Sequence, residues 1–203
     1  GDHGERRKPA EALSVNAAVD ALKLRLGIDE IVLAGQSGGA TVAASLLTLG
    51  RTDVTCAVLG SGNLAVVELF MERQAGTGRR FSREAVLRTF YDPVRNVAAI
   101  APDRLRRVFV IGDPNDQRTP FAQQQRFAES LKARGHHAEV VTVTGAGPDN
   151  HYAGHLALPA AGLCAASASD ERIMRAVQPR TPPATASQPV EPRRQPASAG
   201  IDL

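Results

Sequence analysis

Serine, carboxylate and histidine, the three residue types that together perform nucleophilic acyl transfer, stand just after three different apolar runs of this chain. Ser37 is the centre of Gly35-Gln36-Ser37-Gly38-Gly39, Asp113 and Asp116 follow residues 107–112, and His151 and His155 follow residues 138–143. A serine hydroxyl becomes a nucleophile only with a base within hydrogen-bond reach. An imidazole base in turn needs a carboxylate to fix its tautomer and stabilise its cation. The Gly-x-Ser-x-Gly spacing reads as a nucleophile elbow, in which a strand reverses sharply into a helix and holds the serine in a strained backbone conformation with its side chain exposed. Gly35 and Gly39 are expected to be small because side chains there would collide across the turn. The Gly38 backbone N–H is expected to point where an oxyanion would form. In a chain of this composition the bare pentapeptide arises by chance roughly 0.08 times, so its flanks must carry the weight.

Those flanks are a strand at residues 31–34 and an Ala/Leu-rich helix at 40–49 closed by Gly50. Residues 53–59 form a continuous run rich in β-branched side chains, the pattern of a buried parallel strand, and Ser61 beyond it is a turn residue between glycines. Two more strands are expected at 107–112 and 138–143. Before the serine, Leu13, Ala17, Ala21 and Leu24 recur at three and four, predicting a helix over residues 9–26 with one apolar face and Gly27 as its cap. Residues 64–106 form an excursion between strands, with helices at 64–74 and at 82–91 capped by Ser82, stopped by Asp92-Pro93. Thr119 is expected to cap, and Pro120 to open, a helix that Gly135 closes. Residues 156–177 are expected as helix, kink and helix.

Strands alternating with helices make a parallel sheet with right-handed crossovers, and chemistry in such sheets collects beyond the carboxyl ends of the strands. Ser37, the two aspartates and the two histidines all stand there. His151 is preferred as the base because it is the first histidine after the last strand, on a Gly/Pro/Asn loop able to reach back. His155 lies about one turn further on. His136 and His137 belong to a helix-to-strand turn and are expected to be exposed, and His3 to be solvated.

Composition narrows the remaining classes. With 203 residues, 43% hydrophobic and 22% charged, the chain has room for one domain, residues 1–177 with a cap-like segment near 64–106. Trp is absent and aromatics are 4%, so the core must be aliphatic. A net charge of +3 and no basic run interleaved with aromatics argue against nucleic-acid binding. Arg is concentrated in residues 73–107, read mainly as solvated helical faces and, as the sharper alternative, as a positive lip for anionic substrates. Cys56 and Cys164 are too few for a disulfide scaffold, lack metal-ligand spacing and are read as buried small apolar residues. No stretch approaches a membrane span, and no metal or cofactor is called for. Six of the 13 prolines lie beyond Gln178, so residues 178–203 are expected to be a disordered tail. Oligomeric state is open, and so is compartment, with the cytoplasm slightly favoured.

The Gly35-to-Gly39 motif, the strand-Gly-Asp116-x-x-x-Pro120 segment and a histidine just after the last strand, in that order, resemble the α/β-hydrolase fold. Asp116, Thr119-Pro120 and a helix ending Leu131-Lys132-Ala133-Arg134-Gly135 are similar to its prolyl-oligopeptidase-like and esterase branches. The resemblance covers residues 9–177. It implies Ser37 as nucleophile, Asp116 as acid through its distance from Pro120, His151 as base and Gly38 as oxyanion donor, acting on a small-molecule ester or peptide. Asp113 is the fallback acid, otherwise a loop-capping carboxylate, and His155 the fallback base. A second substrate in place of water would make the same site an acyltransferase. The family has several strands before the serine and this sequence has one helix there. The chain is therefore expected to be the C-terminal portion of the fold, lacking a second oxyanion donor. The reading from a different class is a non-catalytic binding protein or an inactive fragment.

Overall fold

In the computed structural model, residues 6–75, 77–78 and 80–178 are described. His3, Arg79 and the Pro-rich segment from residue 179 onward, for which the sequence suggested a solvated histidine, part of a positive lip and a disordered tail, lie outside them. The apolar runs become β1 (Ile31–Gln36), β2 (Val54–Gly60), β3 (Arg107–Gly112) and β4 (His137–Thr142). They lie in chain order, β1-β2-β3-β4, with every neighbouring pair parallel. Strand order matches chain order because each strand is followed by a helical crossover that returns the chain to the same edge.

Alternation along the strands sends side chains to two faces, each with its own core. Leu33, Ala57, Leu59, Val108 and Val110 face α2 (Gly38–Thr48) and α5 (Phe121–Lys132), with Leu46, Leu47, Phe127 and Leu131 closing that layer. Cys56, Val58, Phe109 and Ile111 face the other way, against α6 (Gly154–Ala165) and α7 (Asp170–Ala176). Between β2 and β3 run α3 (Val66–Gln74), α4 (Arg83–Thr89) and a 3-10 turn, Pro93–Ala99. Ser82 caps α4 by accepting the Ala85 N–H.

Four expectations need correcting. The helix α1 (Pro9–Leu26) forms as predicted, capped by Gly27 at φ 64°, but its apolar stripe faces outward, leaving Leu13 55% and Leu24 87% exposed. The inward stripe is Ala12, Asn16, Val19 and Lys23. It is held by polar contacts: Arg51 donates to Asn16 Oδ1, and Lys23 and Arg51 both pair with Asp53. Burial opposes the charge on Asp53, but the two cations override it and hold its carboxyl down at about 2. Second, the cysteines are buried as expected but are also joined, Cys56 of β2 to Cys164 of α6, with Cα atoms 6.3 Å apart. Position 56 points to the face that α6 covers, a juxtaposition that a separation of 108 residues conceals in the sequence. Third, His136 is buried beside Arg106, whose charge adds to burial in pulling its pKa down, and His137 pairs with Asp170 at 2.8 Å. Fourth, Pro120 is the N-cap of α5 and Thr119 stands outside the helix, its hydroxyl engaged elsewhere. Among the described residues no helix is long and apolar enough to cross a membrane.

Candidate active site

Ser37 sits between the last residue of β1 and the first of α2 with φ 53° and ψ −117°, a left-handed conformation that a side chain rarely adopts. The reversal needs Gly35: a Cβ there would lie 2.3 Å from the Gly39 carbonyl carbon. Gly39 itself faces open space, so it is the close approach of its backbone, not its own want of a side chain, that the turn depends on. Thr41 anchors the first turn of α2, its hydroxyl lying 3.2 Å from Ser37 O and 3.0 Å from Asn63 O. Gly38 opens α2 and is exposed, and the first N–H groups of a helix have no acceptor within it.

Past β3 the chain makes the tight loop that holds both aspartates. Asp113, fully buried, is spent on the loops: its oxygens accept the N–H groups of Asn115 at 2.9 Å and Ala146 at 3.2 Å. Asp116 is set by its own loop, with Oδ1 accepting the Arg118 and Thr119 N–H groups at 2.8 and 2.9 Å. Past β4, Asp149 and Asn150 both take positive φ, 58° and 53°, and this pair of left-handed residues turns His151 back over the sheet edge. Gln117 N–H donates to Asp149 O at 3.0 Å, fastening the aspartate loop to the histidine loop.

The three loops meet. His151 Nδ1 lies 3.1 and 3.0 Å from the two Asp116 oxygens, and its Nε2 lies 2.8 Å from Ser37 Oγ. An ionised carboxylate only accepts, so the proton belongs on Nδ1 and the Nε2 lone pair is left to receive the serine hydroxyl proton. His151 is buried while Ser37 is partly exposed. Asp113 and His155 are not part of this chain of contacts; His155 is exposed near the start of α6.

Two supporting residues escaped the sequence reading. The Thr119 hydroxyl lies 2.9 Å from Asp116 Oδ2, 3.0 Å from Ser61 O and 3.4 Å from His151 Nδ1, so it touches both members of the acid–imidazole pair. Its signal in the sequence is the Asp116-x-x-Thr119 spacing, which there reads as a helix cap. Gln36 Nε2 donates to His151 O at 2.6 Å, tying the residue before the serine to the backbone of the histidine. Among the described residues no cluster of three or more His, Cys, Asp or Glu side chains could hold a metal ion.

No protein-family model and no curated protein sequence matches the chain. Solved structures do. Thermogutta terrifontis esterase 2, phosphoramylated by tabun, superposes with a TM-score of 0.51 at 21% identity, over 77% of this chain and 63% of that one. A Mycobacterium tuberculosis puromycin-hydrolysing peptidase superposes at 0.50 with 18% identity, over 79% and 23%. The Pyrococcus furiosus esterase Pf2001 does so at 0.50 with 18% identity, over 71% and 54%. The chain thus spans less than two thirds of the length of each of these structures. At such identities the likeness is one of fold, and the fold is that of the α/β-hydrolases, with a parallel sheet flanked by helices.

Proposed function

We propose that this chain is a serine hydrolase that cleaves an ester or peptide bond through an acyl-enzyme on Ser37. The observation that carries the reading is the unbroken run of contacts from Asp116 through His151 to Ser37, at 3.0 and 2.8 Å, beyond the carboxyl ends of the strands. Esterases and a puromycin-hydrolysing peptidase among the structural neighbours support the same reaction class.

In the proposed mechanism Ser37 Oγ attacks the substrate carbonyl carbon while His151 Nε2 takes its proton, and the imidazolium so formed is stabilised by Asp116. The carbonyl oxygen becomes an oxyanion, for which the Gly38 N–H is a donor, being the residue after the nucleophile at an elbow. His151 then gives its proton to the leaving oxygen or nitrogen as the carbonyl–leaving-group bond breaks. Water, deprotonated by the same imidazole, attacks the acyl-enzyme, and the proton returns to Ser37 as the acid departs. The positive φ of Ser37 is backbone strain of the kind that keeps a nucleophile presented in advance of substrate.

The deciding experiment is covalent labelling with a fluorophosphonate, mapped by peptide mass. Labelling confined to Ser37 and absent from Ser37→Ala supports the hydrolase. A folded chain that takes no label is the non-catalytic binding protein instead.

A further inference from the structure

A cavity of about 470 Å³, lined by Phe70, Phe81, Phe90, Asn63, Arg7 and Arg73 among others, has a volume within the range of small-molecule sites. Two of its lining residues are tied to the segments that carry Ser37 and Asp116. Asn63 lies at the end of the β2 loop, held by the same Thr41 hydroxyl that contacts Ser37 O. Arg73 donates to Arg118 O, on the loop that carries Asp116.

The lining has a definite chemistry. Phe70 is the hub of an aromatic wall, its ring centroid 5.8 Å from Phe81 and 5.2 Å from Phe90. These are three of the chain's six phenylalanines, gathered around one void. Among the described residues neither the Arg7 nor the Arg73 guanidinium lies within 4 Å of a carboxylate, although the charge of Glu11 acts on Arg7. Glu68 pairs with Arg83 at 2.6 Å through Oε1 while its Oε2 has no partner, Glu72 accepts from Gln123 at 2.8 Å, and Glu11 accepts the backbone N–H of Arg7. Burial and the neighbouring charges of Arg73 and Arg6 pull the Arg7 guanidinium below its ordinary pKa, with Glu11 opposing. Asn63, also on the lining, is buried, and its Oδ1 is an acceptor without a hydrogen-bond partner, which calls for an N–H or O–H donor on the bound molecule. Two cations lining a ring-walled void leave unmet demand for an anion on an apolar body.

We infer that this cavity is the substrate pocket and that it selects an ester or peptide carrying a carboxylate on an apolar, preferably aromatic, group, with the body among Phe70, Phe81 and Phe90 and the carboxylate on Arg7 and Arg73. The inference rests on the hydrolase reading for the word substrate; the anion site itself does not.

The test is calorimetric titration of 4-phenylbutyrate and of its neutral counterpart 4-phenylbutyramide into the full chain and into Ser37→Ala. The carboxylate is expected to bind about ten-fold tighter in both, the worth of one charge-assisted hydrogen bond. That margin should shrink on adding salt to the unsubstituted chain, and again in Arg7→Gln and in Arg73→Gln. The carboxylate should also slow fluorophosphonate labelling of Ser37 more than the amide does. Equal affinities, no binding of either probe, a margin that survives both substitutions and salt, or binding that leaves the labelling rate untouched overturns the pocket assignment. Should a substituted chain misfold by circular dichroism, the salt titration decides alone. A carboxylate margin without any labelling of Ser37 keeps the anion site and removes the hydrolase; labelling without a margin does the reverse.

Discussion

His151 Nε2 stands 2.8 Å from Ser37 Oγ, although 114 residues separate the two in the chain. Removing either partner should therefore remove the same step. Ser37→Ala and His151→Gln are each expected to lower kcat on a 4-nitrophenyl ester by about 10⁴-fold or more, and the double variant to lose little beyond either single one. His155→Gln, at an exposed position, should stay within about two-fold of the parent. Additive losses in the double variant would mean that the two residues do not act as a unit.

The two aspartates should separate cleanly into a chemical and a structural role. Asp116→Asn leaves His151 Nδ1 facing an amide and is expected to cut kcat by about 10³- to 10⁴-fold with little change in thermal stability. Asp113→Asn leaves one acceptor oxygen where the Asn115 and Ala146 N–H groups need two, and should cost about 1–3 kcal/mol of stability while kcat in the folded fraction stays within a few-fold. Steady-state kinetics paired with thermal melts reads both, and the opposite pattern would transfer the acid role to Asp113.

Thr119 is expected to act as a positioning residue, through its contacts with Asp116 and His151. Thr119→Val is expected to lower kcat by roughly ten-fold at nearly constant KM, with recovery in Thr119→Ser, which restores the hydroxyl without the methyl group. A loss shared equally by the valine and serine variants would point to packing instead.

The Cys56–Cys164 bond closes a loop of 108 residues, and a closure of that length is worth about 4–5 kcal/mol in the chain-entropy account. Cys56→Ala with Cys164→Ala, or reduction, should lower the denaturant midpoint accordingly, with activity retained wherever the chain remains folded. Thiol titration of the unfolded, unreduced protein should find no free thiol at these positions. Such bonds persist in oxidising compartments.

Asp92 offers a pH test of stability. Burial, with Glu68 adding repulsion, pushes its carboxyl up to about 6, against the bonds its carboxylate accepts from Val66 and Val67. A folded-state pKa above the unfolded value means that the native state holds the proton longer. Stability from this group is thus greatest below about 4 and is lost as pH rises to about 6, by at most about 3 kcal/mol. Asp92→Asn retains an acceptor for the Val66 N–H and should flatten that fall, measured as unfolding free energy at pH 4 and pH 7. An unchanged slope would place the titration elsewhere.

Most of the fold was legible because it is local. Strands β2 and β3 are uninterrupted apolar runs, Gly27 and Ser82 are caps at the positions their types demand, and the Ser37 turn is spelled out by its glycines. What was misread depends on contacts across the chain. The apolar stripe of α1 was periodic enough to predict a helix, but the inward face was decided by the distant partners Arg51 and Asp53. Nothing near Cys56 announces Cys164, and His136 is buried within reach of the charge of Arg106, thirty positions earlier. The candidate site followed the same rule. Ser37, Asp116 and His151 could be proposed from order and loop position. The second role of Thr119 and the grip of Gln36 on the His151 carbonyl arise only where separate loops meet.

Strand order equal to chain order has a consequence in time. As the chain is synthesised, β2, β3 and β4 can each be laid against a strand already made. The imidazole that would make the serine reactive arrives from the loop after β4 and is held by Gln36, a residue made more than a hundred positions earlier. On the hydrolase reading, a nascent or partly assembled molecule would carry an inert hydroxyl. Reactivity would be conferred in one late step, and its appearance during refolding would clock the docking of the segment after β4.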